Sequence, residues 1–224
     1  STVIVFDKTP FYAEMGGQVG DEGDVVFNGE TFKVLNTFKL PNGQHAHLVN
    51  LLETVLKNDD EVLLKVNEEF RNNVCSNHSA THLLNESVRK VLGSHVVQQG
   101  SLVTDDRLRF DFNHYNNLSN EEILNIDSLV NEQINNSLDV KTLELSKEDA
   151  IKTGAQAAFG EKYGDIVRVV DMGFSKELCG GTHVKNTKEI VKFAVVSIKT
   201  KGSGIFRIEA LTKDKVLNSM SEHL

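Results

Sequence analysis

The chain has 224 residues, 39% of them hydrophobic and 25% charged, a formal net charge of −8, and two cysteines, Cys75 and Cys179. That length is ample for one large domain or two modest ones with buried cores. No apolar run approaches the roughly 20 residues that span a bilayer, no signal-peptide pattern opens the sequence, and two cysteines make no disulfide framework, so a cytoplasmic protein without a membrane partner is expected. The acidic balance argues against a dedicated nucleic-acid binder, which needs clustered Lys and Arg to neutralise phosphates.

The first 66 residues read as short strands and tight turns. Val3–Asp7, Asp24–Phe27, Phe32–Leu40, His45–Leu51 and Val62–Val66 carry strand composition, and Asn28-Gly29 and Asn42-Gly43 are hairpin turns. Several short strands so joined predict a small N-terminal β-barrel over residues 1–66. Gly16-Gly17-Gln18 interrupts the pattern. Its glycines would admit the close approach of another backbone or of a substrate, unless they serve a turn alone, and a substrate cleft between these N-terminal strands and the metal-binding half of the chain is expected.

From Asn67 the pattern mixes helix and strand, which predicts an α+β core with an antiparallel sheet over residues 67–224. Ala80, Leu84, Val88, Val91 and Leu92 recur at helical spacing, with Gly93 as the stop. Leu108, Phe110 and Phe112 alternate with Arg109 and Asp111, as in a strand with one buried face. Ser119 with Glu122 forms a capping box ahead of a helix carrying Ile123, Ile126, Val130 and Ile134, and Ser146 with Asp149 caps a shorter one. Strands are expected again at Ile166–Val170, Ile190–Ile198 and Ile205–Leu211, and a last helix near Lys213. The opening on strand-like Val3-Ile4-Val5-Phe6 without a methionine fits a piece of a longer protein, and equally a chain whose methionine was removed before Ser1.

Two fragments carry the chemistry. In His78-Ser79-Ala80-Thr81-His82, two imidazoles spaced by four residues leave one helix face one turn apart. In Cys179-Gly180-Gly181-Thr182-His183, two glycines allow a turn tight enough for a thiol and an imidazole to meet one ion. Three nitrogens and one sulfur in a tetrahedral set suit Zn2+. Such a set is closed, as in structural zinc, so the ion either gains a ligand when substrate arrives or organises the pocket without activating water. No Glu follows His78 as in HExxH peptidases, so this helix offers no obvious general base. Cys75 precedes His78 by three residues and is either an added ligand or a buried thiol. His45, His47, His95 and His114 lack such partners and read as surface or rim residues.

The wording around these fragments resembles the editing domain of alanyl-tRNA synthetases, to which freestanding alanyl-tRNA editing proteins are related. It runs through Thr9-Pro10-Phe11-Tyr12-Ala13-Glu14-Met15-Gly16-Gly17-Gln18-Val19-Gly20-Asp21, the His78–His82 segment, Gln99-Gly100-Ser101-Leu102 and Leu108-Arg109-Phe110-Asp111-Phe112. It continues in Phe159-Gly160-Glu161-Lys162-Tyr163-Gly164, Cys179–His183 and Arg207-Ile208-Glu209-Ala210. The first and fifth of these look like the synthetase rather than the short freestanding proteins.

The resemblance implies hydrolysis of the ester that joins a wrong amino acid to tRNA-Ala. A pocket shaped for alanine cannot exclude the smaller glycine, and rejects serine, with one added hydroxyl, poorly, so a second hydrolytic site is needed. By the same resemblance His78, His82, Cys179 and His183 hold Zn2+, Thr81 meets the serine hydroxyl, and Gln98 lines the pocket. Gly16, Gly17, Gln18 and Arg207 become substrate-binding candidates. The partner is the acceptor end of tRNA-Ala, with the remaining synthetase domains, ATP binding included, in cis. Arg107, Arg109, Lys199, Lys201 and Arg207 are candidate RNA contacts within an acidic chain. The chain departs from the family where two arginines usually precede Ile-Glu-Ala, because Phe206 stands at the first. Two other readings are a freestanding editor acting in trans, and a zinc-stabilised tRNA-binding module without hydrolytic activity.

Overall fold

The computed structural model describes residues 1–158 and 160–222. The chain divides into two compact units, Ser1–Asn72 and the residues from Asn73 onward. Both mix strands with helix, every paired strand is antiparallel, and among the described residues no helix is long and apolar enough to cross a membrane.

The first unit is built on β1 (Thr2–Val5), β2 (Gly23–Phe27), β3 (Glu30–Lys39), β4 (His45–Val49) and β5 (Leu63–Val66), in the spatial order β1-β4-β3-β2-β5. Turns at Asn28-Gly29 and around Asn42-Gly43 join β2 to β3 and β3 to β4, where the sequence places them. Phe11, Val25, Val34, Val49 and Leu51 form its core, and burying each such side chain favours folding by about 1.5–3 kcal/mol. Arg71 clamps the carboxylate of Asp21 and the carbonyl of Pro10.

The expected barrel is corrected to an open sheet. Closure needs a ladder between the first and last strands, but among the described residues β1 pairs only with β4 and β5 only with β2. Residues of both strands instead line a cleft together with Leu56–Val62. Strand length and turn spacing are alike in open and closed sheets, so the pattern could not separate them.

The second unit takes up α1 (Glu68–Leu92), which begins in the closing residues of the first. Asn67 caps it through its side-chain oxygen to Phe70 N–H (3.0 Å). Glu68 and Glu69 lie at its positive end and Arg89 and Lys90 at its negative end. Then follow β6 (Gln98–Val103), β7 (Leu108–Asn113), α2 (Asn120–Asn135), β8 (Lys141–Ser146), α3 (Lys147–Lys152), β9 (Ile166–Asp171), β10 (Lys176–Leu178), β11 (Phe193–Thr200), β12 (Ile205–Thr212) and α4 (Asp214–Glu222). They make a four-stranded sheet, β11-β12-β7-β6, and a three-stranded one, β10-β9-β8.

One core joins α1 (Ala80, Leu83, Leu84, Val88) and α2 (Ile126, Val130, Ile134) to the inner face of the larger sheet (Leu108, Phe110, Phe112, Phe206, Ile208, Ala210). The capping box of Ser119 and Glu122 starts α2, and Ser146 caps α3. The strand expected at Ile190–Ile198 starts later, at Phe193, because Thr187–Ile190 winds into a 3₁₀ turn capped by Asn186.

The middle of α1 is unusual in being both polar and buried. Ser76, Asn77, His78, Ser79, Thr81, His82, Asn85 and Ser87 are all inside. Some of these groups are spent on structure: Asn77 donates to the Thr104 carbonyl (2.8 Å) and accepts from the Thr212 hydroxyl (2.6 Å). Buried polar groups are costly unless paired, so the remaining ones define a site.

Candidate metal centre

His78 and His82 leave α1 on one face, and the segment after β10 brings Cys179 and His183 against them. One ligand atom from each of the four lies within 4.8 Å of all the others. Cys179 Sγ is 3.4 Å from His78 Nε2 and 3.4 Å from His183 Nε2. Zinc bonds of about 2.0–2.1 Å to nitrogen and about 2.3 Å to sulfur place tetrahedral ligand atoms about 3.3–3.6 Å apart, so the two sulfur–nitrogen separations fit. The turn is made without left-handed backbone at Gly180 or Gly181.

The groups behind these donors fix their orientation. Ser79 Oγ stands 3.0 Å from His183 Nδ1 and accepts from the Val184 N–H (3.0 Å), which leaves His183 Nε2 facing the cluster. Glu177 Oε2 faces His82 Nδ1 at 3.4 Å. Arg168 donates to the carbonyls of Cys179 (3.3 Å) and Gly181 and so closes the loop, while Gly181 N–H points at Cys179 Sγ (3.3 Å). Cys75 does extend along the helix toward this loop, where its thiol donates to Thr182 Oγ1 (3.2 Å).

Burial governs the protonation of the cluster. It lowers His78 to about 4 and His82 and His183 well below the usual imidazole value, with neighbouring imidazoles and Arg168 adding to the effect. Burial likewise pushes the Cys179 thiol up to about 12 and Glu177 up to about 8. Neutral imidazoles are competent ligands as they stand, whereas the thiol must lose its proton to an incoming cation. One thiolate and the Glu177 carboxylate would offset the charge of a dication beside the Arg168 cation, and this donor set fits zinc.

The other candidates fall in several places. Thr81 is buried, and its hydroxyl donates to the Asn77 carbonyl one turn back (2.8 Å). Gln98 lies opposite Phe112 at a bulge in β6, on the sheet face that α1 covers. Arg207 lies between the inward Phe206 and Ile208, hence on the opposite face from α1, where it holds Asp111 with two hydrogen bonds (2.9 and 3.1 Å).

Strand register gathers further cations with it: Lys199 is opposite Arg207, Arg109 opposite Glu209, and Arg107 ion-pairs with Glu209 (3.6 Å). Lys201 lies just beyond β11. Phe206 points inward and stacks on Phe112, so the missing arginine is replaced by core. Phe159 of the Phe159–Gly164 motif lies outside the described residues.

Gly16 and Gly17, in the first unit, have φ of 58° and 85° and form a two-residue turn closed by reciprocal backbone bonds between Met15 and Gln18 (3.0 and 3.2 Å). Gln18 is fully buried. The close approach in this motif occurs at Gly20, where a Cβ would stand 1.9 Å from the Thr37 carbonyl oxygen.

Two histidines expected at the surface are inside. His47 is wedged between Phe6 and Phe11. His114 is buried and hydrogen-bonded to His95 (2.8 Å) beneath exposed Tyr115. The outer partners Ser79, Arg168 and Glu177 were missed by sequence reasoning. For Glu177, its place two residues before Cys179 was the available signal.

Two family models match the chain. One, described as tRNA synthetases class II (A), covers residues 1–70, and the other, described as threonyl and alanyl tRNA synthetase second additional domain, covers residues 167–209. The class is therefore that of tRNA synthetases. The chain is 49% identical over its full length to alanine--tRNA ligase 1 of Lachnoclostridium phytofermentans, covering 26% of that protein. It is 50% identical to the alanine--tRNA ligases of Acholeplasma laidlawii and Alkaliphilus oremlandii, over 93% of the chain and 24% of each relative. The chain belongs to the alanine--tRNA ligase family, and spans about a quarter of the length of these relatives.

Proposed function

We propose that the chain is the editing region of an alanine--tRNA ligase and hydrolyses the ester of seryl- and glycyl-tRNA-Ala. The observation that carries this reading is the donor set of buried His78 and His82 with half-buried Cys179 and His183, in a chain half identical to such ligases. In this reading residues 1–66 and 67–224 are its two subdomains, it works in the cytoplasm, and the remaining synthetase lies in cis.

A bound zinc ion acts as a Lewis acid that polarises a carbonyl or binds water. The chain's own groups hold and select the substrate. Thr81 Oγ1 spends its proton on Asn77 but keeps lone pairs, which accept a hydrogen bond from the hydroxyl of a seryl group. Gln98, on the α1 side of the sheet, is the second pocket residue. The cations around Arg207 are proposed to meet the RNA backbone. The Gly16-Gly17 turn stays a substrate-binding candidate through its exposed backbone, as nothing stands within 4 Å of a Cβ at Gly16.

The closed, four-donor set favours a second reading, a zinc-stabilised tRNA-binding module without activity. Deacylation of Ser-tRNA-Ala with and without a chelator separates the two. Hydrolysis that chelation abolishes and zinc restores supports editing, and tRNA binding with no hydrolysis in zinc-loaded protein refutes it.

A further inference from the structure

His82 presents a problem that the ligand set alone does not solve. Its Nδ1 is buried, and no hydrogen-bond partner meets it among the described residues. Only Nε2 is left to join the cluster, since Nδ1 is turned to Glu177 Oε2 at 3.4 Å. A closure of about half an ångström makes that contact an ordinary N–H···O bond.

Glu177 is itself held. Its Oε1 accepts from Asn85 Nδ2 (3.1 Å) and its Oε2 from the Ser175 hydroxyl (3.3 Å), and all three residues are buried. The arrangement is a cross-brace between two elements. The helix α1 supplies both a ligand, His82, and a brace, Asn85, three residues apart on one face. The strand β10 supplies the carboxylate, Glu177, and the segment that follows it supplies the ligand Cys179 two residues later. Asn85 on α1 thus holds Glu177, and Glu177 in turn stands behind the α1 ligand His82.

We propose that Glu177 is a positioning residue that fixes the tautomer and ring orientation of His82, so that Nε2 is offered to the metal. The proposal rests on the metal-site reading above. Both groups that reach Glu177 from Asn85 and Ser175 are donors, and the imidazole Nδ1–H makes a third. Position 177 is therefore best served by two acceptor oxygens, which a carboxylate supplies and an amide supplies only once. Glutamine has nearly the same shape, but it puts an NH2 where one of these two acceptor oxygens stands. Carboxylates behind metal-bound imidazoles raise ligand basicity and hold the ring, and their loss typically weakens metal affinity about tenfold to a hundredfold.

The test is zinc affinity of the 224-residue chain by competition with a chromophoric chelator, for wild type, Glu177→Gln and Ser175→Ala. The expected result is a loss of about tenfold to a hundredfold for Glu177→Gln and a smaller loss for Ser175→Ala. The cobalt-substituted absorption bands should shift in Glu177→Gln, and zinc-free melting should be close to wild type. Unchanged zinc affinity in both variants overturns the role of Glu177. So does a loss matched by equally poor zinc-free stability with unshifted cobalt bands, since that marks a structural residue. Failure of the wild type to bind zinc overturns the metal reading itself, and is seen before any variant is compared. If Glu177→Gln does not fold, Ser175→Ala carries the test alone, with unchanged affinity and bands counting against the proposal.

Discussion

His47 in the first unit and His82 in the second are both inside their cores, at 0% and 3% exposure, yet their ring nitrogens meet different neighbours. His47 Nδ1 faces the Ile4 carbonyl (3.0 Å), so it carries the proton, and Nε2 accepts from the Thr9 hydroxyl (2.8 Å). Nothing is left over, and the ring closes a polar gap between Phe6 and Phe11. The nitrogens of the second unit's cluster instead converge on one another and on a thiol. Burial alone therefore does not mark a functional histidine. The mark is the convergence of several ligand atoms from separate elements on one point.

The largest effect that sharpens this contrast is expected on Cys179→Ala. Removing the soft thiolate from the cluster should cost the chain its stoichiometric zinc after dialysis against a weak chelator, while His47→Gln leaves zinc content at the wild-type level. Elemental analysis of the two proteins checks it, and equal zinc in both would break the distinction between the histidines.

A smaller effect is expected on Thr81→Val, which keeps the shape of the side chain and removes its oxygen. Loss of a hydrogen bond to a neutral hydroxyl is worth about 0.5–1.5 kcal/mol, or roughly threefold to tenfold in rate. The loss should fall on seryl-tRNA-Ala more than on glycyl-tRNA-Ala, which has no hydroxyl, as parallel deacylation rates will show. Equal losses would assign Thr81 to general support of the pocket, in keeping with its bond to Asn77.

The smallest concerns acidification of the first unit. Burial lowers the pKa of His47 below the usual 6.5, against the opposing bond to Ile4. The unfolded chain then binds the proton more readily than the folded one. The stability tied to His47 is complete above pH 6.5 and is lost as pH falls through the lowered folded value. Hydrogen exchange of β4 amides at pH 7.5 and 5 should show a steeper loss of protection in wild type than in His47→Gln. Parallel losses would mean that His47 does not set the acid response.

Much of the site was legible because its signal is local. Four-residue spacing on a helix and a Cys-Gly-Gly-Thr-His turn are chelating units whatever surrounds them, and the donors do meet. The capping box of α2, the Ser146 cap of α3 and the alternation of β7 were likewise readable from neighbours in sequence. Features decided by distant pairing were not. The sheet β1-β4-β3-β2-β5 stays open because β1 and β5 form no ladder, which no property of either strand announces. The strand β6 was missed because Gln98-Gln99-Gly100-Ser101 has little strand propensity and is held in place by β7. His47 and His114 looked peripheral because polar residues are mostly outside, and only tertiary contacts supply their partners. Arg207 shares its motif with the inward Phe206 and Ile208, but strand alternation puts it on the other face.

The most direct test of the metal centre is X-ray absorption at the zinc edge of the loaded 224-residue chain. The account predicts one sulfur at about 2.3 Å and three nitrogens at about 2.0–2.1 Å, from Cys179 and the three histidines. Two sulfurs would bring Cys75 into the shell in place of its bond to Thr182, and a shell of light atoms only would remove Cys179. Either result would contradict the site built from His78, His82, Cys179 and His183.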